Sequence, residues 1–257
     1  MNLTSKLPTV GTSIFTRIGR LAHAAGALNL AQGFPNFPVD PALPQLIDTY
    51  TRAGKNQYAP DIGVAALREA ISQKITGLYG YSPDPETEIT VTIGATEGIF
   101  SSLQALIHPG DEVLYFAPAY DSYLPGIQLA GGVPVAINLH PPHFKIDWNE
   151  VRNKITSRTR MIIINNPHNP SGTILSAEDL MALQSIVTDT NLLILSDEVY
   201  QHLVYDDQIH QSVIRYPELY ARSIVTMSFG KTFHATGWRI GYVLAPPQLS
   251  AELRKIH

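Results

Sequence analysis

Short, wholly apolar runs that alternate with helical stretches constrain the fold of this chain more than any other sequence feature. Met161–Ile164 and Leu192–Leu195 each consist of four apolar residues with no polar position between them. A strand that is buried on both faces has this pattern, because the side chains of both faces then contact apolar groups. Apolar residues at helical spacing, as in 64–78, separate such runs. We therefore predict an α/β fold with a mainly parallel sheet flanked by helices.

The predicted elements extend over most of the chain. Helices are predicted near 64–78, 95–107, 120–130, 148–155 and 177–187, and strands near 89–93, 112–116, 133–138, 161–165, 192–196, 224–228 and 240–245. The first 60 residues are rich in proline, glycine and asparagine, and for them we predict an irregular arm.

The composition excludes several classes of protein. Hydrophobic residues make up 44% and charged residues 16% of the chain, which is a globular balance. The 18 basic and 22 acidic residues give a net charge of -4, and this provides no basic surface for nucleic acid. No apolar run is long enough to cross a membrane. We predict a cytoplasmic protein with neither nucleic acid nor a membrane as partner.

Metal sites and hydrolase sites gain little support from the sequence. The absence of cysteine excludes disulfides, thiolate metal ligands and a cysteine nucleophile. The nine histidines are scattered, and the only close pair, His140 and His143, lies among prolines without a carboxylate cluster. No Gly-x-Ser-x-Gly segment is present. We predict no metal site.

Polar residues that directly follow the predicted strands are the candidate site residues, because parallel sheets bind ligands beyond the carboxyl ends of their strands. Gly94–Gly98 suits a phosphate held by backbone N–H groups, or an ordinary tight turn that Thr96 caps. Asn166–Gly172 contains two prolines, which favour a rigid loop that positions the Asn169 side chain over a plain structural turn.

Two further strand ends carry charged groups. Asp197 follows a buried strand, where a carboxylate raises the free energy of the folded state unless a cation or hydrogen-bond donors pair with it. The alternative is that the Asp197 carboxylate caps the N-terminal end of a helix. Lys231 follows another strand in a Ser/Gly/Thr-rich loop, where burial would make it an amine nucleophile; an ordinary surface lysine is the alternative. Arg239 offers a forked donor for phosphate. Together these are the groups that a pyridoxal phosphate site needs.

Three segments resemble, in their order and spacing, the fold-type I pyridoxal phosphate aminotransferases of class I/II. They are Asn166–Gly172, Ser196–Tyr200 and Ser228–Gly241. The segments Asn29–Pro35, Asn56–Tyr58 and Phe116–Tyr123 are most similar to the methionine/kynurenine aminotransferase branch. The resemblance implies ping-pong transamination between an apolar or aromatic, methionine-like L-amino acid and a 2-oxo acid, through a Schiff base on Lys231.

The resemblance also implies roles for individual residues. Lys231 forms the Schiff base and moves the Cα proton, and Asp197 pairs with the ring nitrogen of pyridoxal 5′-phosphate. Tyr200 and Asn169 contact the ring hydroxyl oxygen. Tyr120 is implied to stack on the face of the cofactor ring. The cofactor phosphate is implied to contact Ala95, Thr96, Ser228 and Arg239 of the same chain, and Tyr58 of a neighbouring subunit.

The substrate is implied to lie against the arm. The resemblance places Gly33 and Asn169 at the substrate carboxylate. Phe15, Phe34 and Phe37 favour an apolar or aromatic donor such as methionine, phenylalanine, tyrosine or kynurenine, although packing explains these side chains equally well.

By the same resemblance, we divide the chain into an arm with the start of a small domain (1–45), a large pyridoxal phosphate domain (46–247) and the start of an interdomain helix (248–257). Family members continue well beyond this point, and the further part supplies the arginine that binds the substrate carboxylate. The resemblance implies a homodimer for the complete protein. Two alternatives stay open: a carbon–sulfur β-lyase with the same cofactor, and a cofactor-binding chain without activity.

Overall fold

The computed structural model describes residues 2–33, 35–188 and 190–257, which fall into two units divided between Asn56 and Gln57. The first unit contains two helices, α1 (Ile14–Ala24) and α2 (Ala42–Arg52). The prediction of an irregular arm over the first 60 residues is wrong for these two segments. The domain division at 45 and 247 stays a prediction.

Local signals explain why α1 forms within a proline- and glycine-rich region. The hydroxyl of Ser13 accepts a hydrogen bond from the backbone N–H of Thr16, which caps the helix. Ile14, Ile18 and Leu21 recur at helical spacing. No proline lies within the helix, where it would interrupt the hydrogen bonds, and Gly19 inside it keeps its backbone N–H group.

The described part of the second unit is built on a seven-stranded sheet. Its strands are β1 (Ile89–Thr92), β2 (Glu112–Ala117), β3 (Val133–Asn138), β4 (Thr159–Asn165), β5 (Leu193–Asp197), β6 (Ser223–Ser228) and β7 (Gly241–Leu244). They lie in the order β1-β7-β6-β5-β4-β2-β3. β7 is antiparallel to both of its neighbours, and the other paired strands are parallel. The prediction of a mainly parallel α/β sheet is therefore confirmed.

Helices cover the sheet. They are α3 (Ala65–Tyr79), α4 (Gly94–Leu106), α5 (Tyr123–Leu129), α6 (Trp148–Lys154), α7 (Ala177–Val187), α8 (Pro217–Tyr220), α9 (Phe229–Thr232) and α10 (Pro247–Arg254), with 3₁₀ turns at Val213–Arg215 and Thr236–Trp238. The predicted bounds of α7 are confirmed, and the structure shows a reciprocal capping box between Ser176 and Asp179 at its start. The single-turn helices α8 and α9 were not predicted, since four residues are too few to show a helical period.

The apolar core lies on both faces of the sheet. Ile162 and Ile164 of β4 belong to one buried cluster, and Met161 and Ile163 belong to another. Successive side chains of a strand point to opposite faces, so a strand between two clusters is apolar at every position. This arrangement explains the continuous apolar runs and brings the carboxyl ends of β4, β5 and β6 together at one edge.

Candidate active site

Lys231 lies in α9, the helical turn that directly follows β6, rather than in the predicted loop. Its Nζ atom is 5.3 Å from the centre of the Tyr200 ring. Burial lowers the pKa of Lys231, the charge of Arg239 lowers it further, and the charge of Asp197 opposes both effects. A lowered pKa increases the neutral, nucleophilic fraction of the amine.

Asp197 is the last residue of β5, and its side chain is buried. The Tyr123 hydroxyl donates to Asp197 Oδ2 at 2.6 Å, and the Val199 N–H donates to Oδ1 at 3.3 Å. Burial raises the pKa of Asp197 to about 6, although the hydrogen bond from Tyr123 opposes this rise. No helix of the described residues begins directly after β5, so the helix-cap alternative is wrong.

Glu198, the next residue, takes part in a different polar cluster. It is wholly buried, and its Oε1 atom accepts hydrogen bonds from Ser196 Oγ at 2.8 Å and from the Val213 N–H at 3.2 Å. His210 Nε2 lies 4.0 Å from Glu198 Oε2. Two neighbouring carboxyl groups thus have different partners, and of the two it is Asp197 whose charge acts on Lys231.

The loop after β4 is tied to β5 and to Tyr200. Asn165 Oδ1 accepts from the Asn169 N–H at 2.7 Å, and Asn165 Nδ2 donates to the Asp197 carbonyl at 2.9 Å. The Asn169 side chain then donates to the Tyr200 hydroxyl at 3.5 Å. Burial raises the pKa of Tyr200, as do the charges of Asp197 and Tyr120. Its hydroxyl therefore stays protonated at neutral pH.

The turn after β1 is packed against Arg239. Gly94 has a φ of +73°, and a Cβ atom at this position would lie 2.8 Å from Arg239 Nη2. Thr96 lies in the first turn of α4, not at the cap, which is Ile93. Its hydroxyl is 3.4 Å from the Tyr120 hydroxyl, so the turn also contacts the predicted ring-face residue. The N-terminal end of α4 and the guanidinium provide donors suited to an anion.

The predicted site residues therefore divide into two groups. Contacts or charges link seven of them into one cluster: Lys231, Asp197, Tyr200, Asn169, Tyr120, Thr96 and Arg239. Ala95 adjoins this cluster in α4, and Ser228 adjoins it at the end of β6.

The other predicted residues are Tyr58, Gly33, Phe15, Phe34 and Phe37. Tyr58 is fully exposed. Gly33 and Phe15 belong to the first unit, and Phe34 lies outside the described residues. Their roles stay predictions.

Two polar residues at the centre of these contacts were missed in the sequence. Asn165 ends an apolar strand and is buried, and its position directly before the Asn166–Gly172 loop was the available signal. Tyr123 lies within the segment Phe116–Tyr123 that carries the family resemblance, but no local pattern pairs it with Asp197.

The described residues contain no cluster of three side chains that could hold a metal ion. No described helix is long and apolar enough to cross a membrane.

Comparison with known proteins identifies the family. The sequence profile described as "Aminotransferase class I and II" matches residues 25–257. The chain belongs to this aminotransferase family. It is 48% identical over 253 residues to the methionine aminotransferase of Escherichia coli (strain K12), covering 98% of this chain and 66% of that protein. It is 34% identical over 265 residues to kynurenine–oxoglutarate transaminase 1 of Rattus norvegicus, covering 98% of this chain and 63% of that protein.

Solved structures of aminotransferases show the same fold. YbdL from Escherichia coli, identified as having a methionine aminotransferase function, matches with a TM-score of 0.96 and 46% identity over 100% of this chain and 67% of that chain. N-succinyldiaminopimelate aminotransferase from Mycobacterium tuberculosis matches with a TM-score of 0.95 and 40% identity over 99% of this chain and 67% of that chain. This aminotransferase chain thus spans 63–66% of the length of the two curated relatives named above.

Proposed function

We propose that this chain carries the cofactor-binding and proton-transfer residues of a pyridoxal phosphate-dependent aminotransferase. The reaction would move an amino group from an apolar or aromatic L-amino acid, with methionine as the first candidate, to a 2-oxo acid. The observation that carries the proposal is the position of the Lys231 amine, 5.3 Å from the centre of the Tyr200 ring and within the field of the buried Asp197 carboxylate.

The residues present fit the chemical groups of pyridoxal phosphate. A cationic ring nitrogen would offset the cost of burying Asp197, whose pKa of about 6 reflects that burial. Tyr200 and Asn169 would donate to the ring hydroxyl oxygen, with Tyr120 at the ring face. Arg239 and the N-terminal end of α4 would hold the phosphate, because the lack of a Cβ atom at Gly94 lets the Arg239 guanidinium lie close to the start of this helix.

The chain's own residues would bind the cofactor and move protons. When bound, pyridoxal phosphate supplies a carbonyl carbon that amines attack and a ring that withdraws electrons from the substrate Cα. Lys231 Nζ, whose pKa is lowered by burial and by the charge of Arg239, would accept a proton from the substrate Cα and donate it to another atom of the bound substrate and cofactor. Asp197 would keep its negative charge beside the ring nitrogen throughout.

The substrate and the oligomeric state are parts of the same proposal. A methionine aminotransferase and a kynurenine transaminase among the relatives support an apolar or aromatic amino donor. They favour transamination over the β-lyase alternative, since both are named for amino transfer. We infer that the complete protein is a homodimer in which the exposed Tyr58 contacts the phosphate bound by the neighbouring subunit.

Reductive trapping tests the assignment of Lys231. The chain is mixed with pyridoxal phosphate, reduced with borohydride and digested, and the modified peptide is identified by mass spectrometry. We expect the label on Lys231 and its loss in Lys231→Ala. Lys74→Ala is the matched control, because burial also lowers the pKa of Lys74, to about 8. Equal total labelling in wild type and Lys231→Ala would overturn the assignment.

A half-reaction separates the possible activities. The loaded chain receives L-methionine without any 2-oxo acid, and the cofactor is then extracted. Transamination predicts conversion to pyridoxamine phosphate with one 2-oxo acid formed per site. Elimination is tested in parallel with an S-substituted L-cysteine, because L-methionine has no leaving group on its Cβ atom. A β-lyase would repeatedly release a thiol, pyruvate and ammonia from it with the cofactor unchanged. A chain that only binds the cofactor gives no product with either substrate. Either of the last two results would contradict the proposed transamination by this chain.

A further inference from the structure

Tyr123 contacts two residues that the proposed function assigns to the cofactor. It is the first residue of α5, and 3% of its surface is exposed. Its hydroxyl donates to Asp197 Oδ2 at 2.6 Å. Its ring meets the Tyr120 ring edge-on, with centres 5.7 Å apart and planes at 81°. One buried side chain thus connects the proposed partner of the ring nitrogen to the proposed ring-face residue.

We propose that Tyr123 is a positioning residue that holds the Asp197 carboxylate, ionised and correctly oriented, while its ring edge sets the position of Tyr120. This inference rests on the proposed function, because that function gives Asp197 and Tyr120 their roles. Neither the sequence motifs nor the relatives' names assign a role to Tyr123.

The hydroxyl of Tyr123 is important because Asp197 has few donors. Among the described residues, Tyr123 makes the side-chain hydrogen bond to this carboxylate, and the Val199 N–H makes the backbone one. The charged or titratable groups that face Asp197 are Lys231, which favours ionisation, Glu198, which opposes it, and Tyr200. Loss of the Tyr123 donor would leave Oδ2 buried without this partner, which favours the protonated form of Asp197.

Tyr123 itself is a constant donor. Burial raises the pKa of its hydroxyl well above the ordinary value, and the neighbouring charge of Asp197 raises it further. The phenol therefore keeps its proton at neutral pH, so Tyr123 is the donor and Asp197 the acceptor of this hydrogen bond. It holds the carboxylate without adding a second ionisation near neutral pH.

The ring of Tyr123 provides the second contact. Edge-on aromatic pairs have a preferred geometry, so a buried ring restricts the orientation of its neighbour. The Tyr120 hydroxyl is also 3.4 Å from Thr96 Oγ1, so Tyr120 is held at its ring by α5 and at its hydroxyl by α4. Tyr123→Phe removes the hydroxyl and keeps this ring contact, which isolates the effect on Asp197.

The test measures the ionisation of Asp197 in the chain without cofactor. The side-chain carboxyl signals of ¹³C-labelled aspartate are followed by NMR across a pH series, and the Asp197 signal is identified by its loss in Asp197→Asn. We expect Tyr123→Phe to raise the titration midpoint by about one pH unit, a tenfold change in the ionisation equilibrium. Tyr220→Phe is the control, because it removes a buried hydroxyl that donates to Glu88 instead, at 3.2 Å.

The outcomes distinguish this inference from the proposed function. An unchanged midpoint in a folded Tyr123→Phe variant overturns the role of Tyr123, whether or not Lys231 binds cofactor. If the midpoint rises but wild type gives no label on Lys231, the proposed function fails while the Tyr123–Asp197 coupling stands. If Tyr123→Phe does not fold, 3-fluorotyrosine placed at position 123 replaces it. This more acidic phenol is a stronger donor and should lower the midpoint; no change would overturn the inference.

Discussion

The guanidinium group of Arg239 packs directly against Gly94, although the two residues are 145 positions apart in the sequence. The contact brings a cation to the N-terminal end of α4, where backbone N–H groups point outward. Arg239 also has left-handed backbone geometry, with a φ of 55°. Two unusual backbone conformations thus meet at the proposed phosphate site.

Gly94→Ala should weaken cofactor binding by about tenfold or more, because the new methyl group displaces a charged hydrogen-bond donor. The dissociation constant for pyridoxal phosphate, measured by absorbance titration, checks this expectation. Gly80→Ala is the matched control, since Gly80 has a similar φ of +76° but nothing within 4 Å of the added Cβ. Both variants place alanine at a positive φ and so carry the same kind of backbone strain. Equal affinities of the two variants for pyridoxal phosphate would show that the contact between position 94 and Arg239 does not contribute to cofactor binding.

Asp197→Asn should bind pyridoxal phosphate but react slowly. The amide keeps the size of the carboxyl group and loses the charge that would stabilise a cationic ring nitrogen. We expect the half-reaction with L-methionine to slow by about 100-fold or more, because the loss of one preorganised electrostatic group from an active site has an effect of this size. Single-turnover absorbance measurements give the rate. An unchanged rate would remove Asp197 from the proposed role.

Tyr200→Phe should change the pH dependence of the bound cofactor's visible absorbance. The Tyr200 hydroxyl, which accepts from Asn169 at 3.5 Å, is proposed to donate to the ring hydroxyl oxygen. Without this donor the ring oxygen holds a proton more strongly, so the midpoint of the spectral titration should rise by about one pH unit. Tyr205→Phe, at a side chain that is 71% exposed, should leave the midpoint unchanged. A Tyr200→Phe midpoint equal to that of wild type would contradict the contact.

Glu198→Gln should alter how stability depends on pH. Burial raises the pKa of Glu198 from 4.5 to about 7. Between these values the native state binds more protons than the unfolded state. The contribution of Glu198 to the free energy of unfolding is therefore fully present below pH 4.5 and is lost as the pH rises through about 7. Relative to wild type, the Gln variant should gain about 3 kcal/mol in free energy of unfolding over this range.

Urea unfolding of both chains at several pH values measures this difference. Burial lowers the pKa of the neighbouring His210 to about 4, and the resulting loss of stability towards acid pH is present in both chains. The comparison therefore isolates Glu198. Parallel stability curves for the two chains would show that this carboxyl group titrates normally in the native state.

Much of the fold was predictable because its signals are local. The apolar runs around Ile163 and Ile194 show that both faces of their strands are buried, and the cap at Ser176 marks the start of α7. The helices α1 and α2 were not predicted, because prolines and glycines in and around them dominate the composition of that region. Helix α9 was not predicted either, and it places Lys231 on a helical turn rather than in a loop.

The sequence by itself determined that a lysine, an acid and an amide follow predicted strands and that an arginine precedes one, and therefore that these groups would be available at one edge of the sheet. The local pattern around β5 does not separate Asp197 from Glu198; the family resemblance selected Asp197, and the folded structure gives the two carboxyl groups different partners. The sequence also could not pair Tyr123 with Asp197, or Gly94 with Arg239. These contacts join distant segments, and only the strand order of the folded sheet, with β7 inserted between β1 and β6, brings them together.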